Sequence, residues 1–188
     1  MSSLEASTTS QRQLSAELED ALREARRSNA LLEHQTRLLG MMAKCEPLAR
    51  VLETFCHAYE ELSPGSLCSI LLVELATNRL RHGAAPSLPA SYIEAIDGLP
   101  VGPCAGSCGT AVFRGEPVVV ADISSDPLWG AYRDLAHLHR LEACWSIPIY
   151  SSQRATLGSF AVYGRAPGIP TDRQLSAIEQ FTNLISIA

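Results

Sequence analysis

Long hydrophobic runs are missing from this chain of 188 residues. The longest apolar stretches, SILLV at residues 69–73 and PVVVA at residues 117–121, are far shorter than the roughly 18 residues that suggest a membrane span. The opening residues, MSSLEASTTSQRQ, also lack the basic and then apolar order of a secretory signal. We therefore expect no membrane span in this segment and a cytoplasmic location.

An excess of basic residues is missing as well. The chain holds 15 Lys and Arg against 20 Asp and Glu, and its basic residues are scattered along the sequence. Binding to nucleic acid needs a concentrated basic surface that neutralises phosphates. The charge balance therefore predicts no nucleic-acid partner.

The motifs of common enzyme classes are absent too. The sequence has no nucleophile elbow, no phosphate-binding loop and no H-E-x-x-H pair. We therefore expect that the chain is not an enzyme and that any catalytic output lies outside it.

The composition that is present is that of a folded protein, with 46% hydrophobic and 19% charged residues. The length fits one domain with an appendage. Six cysteines in a chain without an export signal indicate free thiols rather than a disulfide framework. Most of them are expected to be small buried hydrophobic side chains.

The first 45 residues predict a long helix that precedes the main domain at residues 46–188. Residues 11–42 contain no proline, and Gly40 is their one glycine. Alternating steps of four and three residues give a heptad seam that favours a coiled-coil homodimer. The alternative is that the helix packs on its own domain, because the Ala, Ser and Gln residues in this seam would form a weak coiled coil. The seam consists of Leu14, Leu18, Ala21, Ala25, Ser28, Leu32, Gln35, Leu39 and Met42.

The remaining pattern predicts an α+β fold, one sheet with helices on its faces. A helix at residues 47–62 precedes a hairpin that turns at residues 77–78, and two more strands turn at residues 151–154. A final apolar-periodic helix starts near residue 172 and is expected to run to the last residue. Since no Gly or Pro ends it, we expect it to continue into a helical connector.

Residues 47–188 resemble the GAF domain family. The resemblance is carried in order by SLCSILLVE, RLRHGAAPSLPASYIEAIDG, GSCGTAVFRGEPVVVADISSDPLW, YRDLAHLHRLEACWSIPI and LGSFAVYGRAP. This segment is similar to the sensory GAF modules of bacterial histidine kinases, diguanylate cyclases and cyclic di-GMP phosphodiesterases. The resemblance implies a six-stranded antiparallel sheet and a small-molecule pocket on one face. It also implies terminal helices that pair in a homodimer and lead to a C-terminal output domain.

The expected function is thus that of a regulatory sensor, which binds a small molecule or senses redox state. The alternative is a structural dimerisation spacer without a ligand. In the resemblance, the glycine-rich loop and the DISSDPLW segment border the pocket. The candidate ligand-binding residues are Cys104, Ser107, Cys108, Thr110, Asp122, Trp129, Tyr132, Cys144 and Ser146. The alternative is that these segments have only structural roles. The loop would then be a tight turn, Asp126 would cap a helix, and Trp129 would fill the core.

The cysteines leave three interpretations open. Cys104 and Cys108 have the spacing of half a zinc clip, which Cys144 and either His137 or His139 could complete as a metal, iron-sulfur or haem site. Alternatively, Cys108 near a helix start and Cys144 as its resolving partner could form a redox sensor. The third interpretation is inert buried thiols. In each case we expect the loop to approach Cys144, while the cofactor itself stays unknown.

The family's better-known ligands find little support in the sequence. The Asn-Lys-Phe-Asp-Glu set of cyclic-nucleotide members has no match, and no Cys-His pair is present for a bilin, since Trp145 follows Cys144. Free methionine sulfoxide reduction, known for some GAF-like proteins, is the enzymatic alternative. The ligand, the output domain and the direction of the signal cannot be predicted from the sequence.

Overall fold

The computed structural model of the protein describes residues 2–187, with side chains from residue 12 onward. The chain alternates helices and strands in an α+β order, as the sequence predicts. The elements are α1 (Ser2–Ala43), α2 (Leu48–Leu62), β1 (Leu67–Glu74), β2 (Arg79–Ala84), α3 (Ala90–Ile96), β3 (Leu99–Pro100), α4 (Gly106–Arg114), β4 (Val118–Val120), a 3₁₀ turn (Pro127–Trp129), α5 (Arg133–Leu138), β5 (Ala143–Tyr150), β6 (Thr156–Gly164) and α6 (Asp172–Ile185).

The six strands form one antiparallel sheet in the order β3-β2-β1-β6-β5-β4. This arrangement confirms the six-stranded sheet that the resemblance implies. The two predicted hairpins are β1–β2 and β5–β6, and their turns place Asn78 and Arg154 at positive φ. The two-residue strand β3 was not predicted, because it is too short to show a periodic pattern.

Helices cover both faces of the sheet. Side chains alternate between the faces along each strand, so Cys144 and Trp145 on β5 belong to different clusters of buried residues. Helices α1, α2 and α6 pack on the face of Trp145, which we call the helical face. Helices α3, α4 and α5 pack on the face of Cys144, which we call the pocket face.

Helix α6 lies on the helical face of its own sheet. Thr171 and Gln174 form a capping box at its start, where the sequence predicts a cap. Ile178, Phe181 and Ile185 are buried in the core. The helix ends at Ile185, so the prediction that it reaches the last residue is wrong for residues 186–187, which follow it as a turn. Met1 and Ala188, the outer limits of the two predicted domains, lie outside the described residues.

Helix α1 has two separate apolar faces. The first packs on the chain's own domain, where Leu38 and Met41 are buried against the core. Gln35 donates to Gln180 of α6 at 3.1 Å. The second face carries the seam leucines, which are 68%, 60%, 57% and 47% exposed at Leu14, Leu18, Leu32 and Leu39. The packing of α1 on its own domain therefore leaves most of the predicted seam exposed. The homodimer stays a prediction.

None of the helices between residues 2 and 187 is both long and apolar enough to cross a membrane.

Candidate functional site

Helix α4 starts in the glycine-rich loop and lies directly on the sheet. Gly106 has a positive φ of 60°, a conformation that favours glycine. A Cβ atom on Gly109 would lie 2.3 Å from the Pro100 carbonyl oxygen, so only glycine permits this close approach of helix and β3. The loop is therefore a helix start that brings the first turn of α4, with Ser107 and Cys108, onto β5 and β6.

Five polar side chains of the central strands point toward α4 from the pocket face. Each is 0–1% exposed, and pairing across the sheet brings them close together: Cys144 lies opposite Tyr163 in the ladder, and Ser146 and Ser69 both lie opposite Ala161. The five are Ser69, Cys144, Ser146, Ser159 and Tyr163. A largely apolar sheet thus carries a polar patch beneath the helix.

Ser107 joins this patch to the aromatic wall of the site. The Trp129 indole Nε1–H donates to Ser107 Oγ at 2.9 Å, and Ser107 Oγ donates to the Cys144 carbonyl oxygen at 3.3 Å. Tyr163 OH lies 3.1 Å from Ser69 Oγ and 3.9 Å from Cys108 Sγ. These contacts fix the side chains that surround Cys108.

Two hydroxyl groups in the patch are not satisfied. Ser146 Oγ and Ser159 Oγ are fully buried, and neither has a hydrogen-bond partner of ordinary geometry among the described residues. Both nevertheless stand near enough to the Cys108 sulfur to lower its pKa. A buried hydroxyl without a full partner costs about 1–3 kcal/mol, so these serines call for an explanation.

Cys108 and Cys144 are neighbours with opposite electrostatic surroundings. A hydrogen bond from the Cys144 thiol is the largest influence that lowers the pKa of Cys108, and the hydroxyls of Ser146, Ser159 and Tyr163 add to it against the effect of burial. Burial and the nearby Cys108 raise the pKa of Cys144 well above its ordinary value. Cys108 is therefore the thiol that ionises first, while Cys144 keeps its proton.

The space between α4 and the sheet is nearly closed. The cavity measures about 20 Å³, room for one or two water-sized atoms. We call this cavity the α4 pocket, and it is lined by Leu71, Tyr92, Ile96, Leu99, Gly106, Ser107, Cys108, Trp129, Tyr132 and Tyr163. Much larger clefts, of about 520 and 570 Å³, flank α6 on the helical face, away from the cysteines.

Several candidate residues lie in or beside the α4 pocket. Ser107, Cys108, Trp129 and Tyr132 line it directly. Cys144 and Ser146 belong to the polar patch below it. Thr110 is also buried, but its hydroxyl accepts a hydrogen bond from the Ala105 amide at 3.1 Å and so holds the loop.

The two predicted aspartates have local structural contacts. Asp122 accepts a hydrogen bond from the Ser124 amide at 2.8 Å, and Asp126 accepts one from the Leu128 amide at 2.8 Å. Asp126 is thus the cap of the 3₁₀ turn, as the alternative interpretation expected. Asp122 closes a turn and does not line the α4 pocket.

The proposed metal ligands do not converge. Cys104 is exposed, because it precedes the start of α4, whereas Cys108 and Cys144 are buried beneath the helix. His137 lies 3.8 Å from Glu142 instead, and the His139 ring packs edge-on against Tyr92. Across the side chains described from residue 12 onward, no group of three or more His, Cys, Asp or Glu is placed to bind a metal ion. The predicted three-cysteine site is therefore not formed.

Sequence reasoning missed Ser69, Ser159 and Tyr163. The only signal was the spacing of two along β6, where Ser159, Ala161 and Tyr163 share a face. Small polar residues inside an apolar strand do not interrupt its pattern, so the strand was predicted but its polar face was not. All six cysteines are free, as expected, and four of them are buried.

An antiparallel sheet between two helical layers, with a short helix over a small cavity on one face, defines an α+β domain. A family model described as GAF domain matches residues 45–188. The chain belongs to the GAF domain family. This confirms the resemblance seen in the sequence.

A curated relative carries the word sensor in its name. The chain is 37% identical over 158 residues to the methyl sulfide methyltransferase-associated sensor of Methanosarcina acetivorans. The match covers 84% of this chain but only 16% of that relative.

Solved structures share the fold at low sequence identity. The free methionine-R-sulfoxide reductase of Neisseria meningitidis has a TM-score of 0.70 at 14% identity, with 86% of each chain covered. The GAF domain of a phosphoenolpyruvate-protein phosphotransferase from Coxiella burnetii has a TM-score of 0.67 at 16% identity, covering 83% of this chain and 90% of its own. At such identities, the likeness establishes the fold alone.

Proposed function

We propose that this chain is the signal-receiving module of a sensor protein. The signal acts in the α4 pocket, either as a bound small molecule or as a change of redox state. Helices α1 and α6 of a homodimer then pass it to an output domain of the kinase, cyclase or phosphodiesterase type. The sensor-named relative, of which this chain spans 16%, supports a place within a larger protein.

The observation that carries the proposal is the pair of buried hydroxyls at Ser146 and Ser159. A domain that served only as a spacer would be more stable with apolar side chains at both positions, since a buried hydroxyl without a full partner is unfavourable. Polar groups that reduce stability are typical of sites kept for function. The hydroxyls therefore favour a sensor over a spacer.

A connection between the α4 pocket and α6 runs through β5. Cys144 faces the pocket, and the next residue, Trp145, faces the helical side. The Trp145 indole Nε1–H donates to the Gly168 carbonyl oxygen at 3.0 Å, a few residues before α6 begins. A shift of β5 caused by a change in the α4 pocket would thus move the start of α6.

The homodimer is supported by the second apolar face of α1. Its leucines point away from the chain's own domain and need a cover. A second copy of the same helix offers a matching seam, because its heptad spacing is the same. The α6 helices of the two copies, which would lead to the output domains, would then lie in the same dimer.

Reduction of free methionine-R-sulfoxide is the enzymatic alternative, favoured by the fold likeness to such reductases and by the adjacent Cys108 and Cys144. We expect no reductant-dependent turnover of that sulfoxide, because a cavity of about 20 Å³ is too small for an amino acid.

The proposal is tested by replacing both serines. In Ser146→Ala with Ser159→Ala, we expect the free energy of unfolding to stay unchanged or rise by about 1–2 kcal/mol, because two unsatisfied hydroxyls are removed. Urea unfolding monitored by circular dichroism measures it, at a pH below the pKa of Cys108.

Ser107→Ala is the matched control. Its hydroxyl accepts from Trp129 and donates to the Cys144 carbonyl, so its loss should cost about 1–2 kcal/mol. A double serine variant that is destabilised as much as Ser107→Ala would assign the serines a structural role and remove the main support for a sensor.

A further inference from the structure

Cys108 lies where a helix start and neighbouring polar side chains favour a reactive thiolate. It lies in the first turn of α4, near the positive end of the helix dipole. It is surrounded by the hydroxyls of Ser146, Ser159 and Tyr163. A second thiol, Cys144, lies beside it: Ser107 donates to the Cys144 carbonyl oxygen at 3.3 Å, and Tyr163, which is opposite Cys144 in the sheet, has its OH 3.9 Å from Cys108 Sγ. Such a thiol differs from an inert buried cysteine, which has only apolar surroundings.

The size of the α4 pocket limits what can reach this thiol. A volume of about 20 Å³ admits a molecule of about two heavy atoms. Cys108 itself lines this space, while Ser146 and Ser159 lie in the polar patch beside its sulfur. A small oxidant of two oxygen atoms meets the size limit of this space.

We propose that Cys108 and Cys144 form a peroxide-responsive dithiol, with Cys108 as the attacking residue, Cys144 as the resolving residue and hydrogen peroxide as the oxidant. This inference rests on the proposed sensor function and names the chemical class of its signal. Ser146 and Ser159 are positioning residues that act on the Cys108 thiolate.

The first step oxidises Cys108. Its thiolate sulfur attacks one oxygen of hydrogen peroxide, so that an S–O bond forms and the O–O bond breaks. The second oxygen leaves as hydroxide and becomes water with a proton taken up from solvent. Cys108 is then a sulfenic acid, and the peroxide has been reduced by two electrons.

The second step closes the disulfide. The Cys144 sulfur gives up its proton and attacks the Cys108 sulfur, so that an S–S bond forms and the S–O bond breaks. The hydroxide that leaves combines with the proton from Cys144 to give a second water. In total, two thiols and one hydrogen peroxide give one disulfide and two waters. An external dithiol reductant restores the starting state.

The structural consequence follows from where Cys144 lies. A bond between α4 and β5 fixes the distance between the helix and the strand that carries Trp145 on its other face. The disulfide would therefore act on the start of α6 through the Trp145 contact with Gly168.

The test uses the whole chain with Cys45→Ser and Cys104→Ser, because these two exposed thiols would otherwise react. Purified protein is treated with hydrogen peroxide or with oxidised glutathione. Peptide mass spectrometry without reduction then identifies the cross-link. We expect a Cys108–Cys144 disulfide with hydrogen peroxide, reversal by dithiothreitol and no reaction with the bulky glutathione disulfide.

Two variants assign the roles. Cys144→Ser should stop at the Cys108 sulfenic acid, which is trapped with dimedone. Ser146→Ala and Ser159→Ala should each slow the reaction when it is measured well below pH 7, by about tenfold for a rise of one unit in the pKa of Cys108. Circular dichroism verifies that each variant is folded.

Failure here is separable from failure of the sensor function. If Cys108 and Cys144 form no disulfide, or if glutathione disulfide reacts as fast as peroxide, the peroxide inference is wrong. The serine stability test and the oligomeric state do not depend on that outcome. They decide the sensor proposal independently.

Discussion

At the scale of single residues, Cys108 and Cys144 are the same side chain in one buried cluster, yet their pKa values move in opposite directions. The neighbouring Cys144 thiol and the hydroxyls of Ser146, Ser159 and Tyr163 lower the pKa of Cys108 despite burial. Cys144 lacks comparable donors, and burial raises its pKa. The pair can therefore hold one negative charge on a defined sulfur, which a symmetric pair could not.

The pH dependence of thiol reactivity tests this difference. Because the folded-state pKa of Cys108 is lowered to about 7, its thiolate persists as the pH falls from 9 and is lost only below about 7. The rate of Cys108 oxidation by hydrogen peroxide, followed by mass spectrometry in the Cys45→Ser, Cys104→Ser background, should therefore rise to a plateau above about pH 7. Ser159→Ala should move the midpoint to higher pH. A midpoint near 8.5, as for an ordinary thiol, would contradict the lowered pKa of Cys108.

At the scale of elements, α1 combines two roles on two faces. Leu38 and Met41 anchor it to the domain core, and Glu24 pairs with Arg173 of α6 at 3.3 Å. The exposed ion pair contributes little to stability, so the buried side chains hold the helix. The seam leucines on the other face are free to meet a second chain. Any change at α6 would thereby act next to the proposed dimer contact.

Charges in the seam should separate the dimer without unfolding the domain. Leu18→Glu with Leu32→Glu would bury carboxylates in a helix pair, which is unfavourable without a partner. Sedimentation equilibrium should give a monomer for this variant and a dimer for the parent chain, with circular dichroism unchanged.

Leu75→Glu is the matched control, since Leu75 is 88% exposed in the β1–β2 turn and should leave the dimer intact. A double seam variant that sediments as a dimer would exclude α1 from the interface. A charge at Ile178 would be less informative, because Ile178 is buried in the core and its replacement would unfold the domain.

At the scale of the whole molecule, the sequence predicted the layers of the fold better than the chemistry of the pocket. Helices α2 and α6 and the hairpins follow from periodicity and turn residues, which are local signals. The closure of the α4 pocket depends on how Trp129 and Tyr132 pack, and the exposure of Cys104 depends on where α4 begins. Both are tertiary properties. Ser69 and Ser159 were hidden because a serine does not break an apolar strand.

The central claim is that the state of the α4 pocket reaches α6 through β5. Hydrogen-deuterium exchange measured by mass spectrometry on Ser146→Val tests it most directly, since valine adds a methyl group to the pocket side of β5 and needs no known ligand. The account predicts altered exchange in residues 172–185 as well as in α4, with smaller changes in α2, which packs on the same face but lacks the Trp145 connection. Altered exchange confined to α4 and β5, with α6 unchanged, would contradict the account.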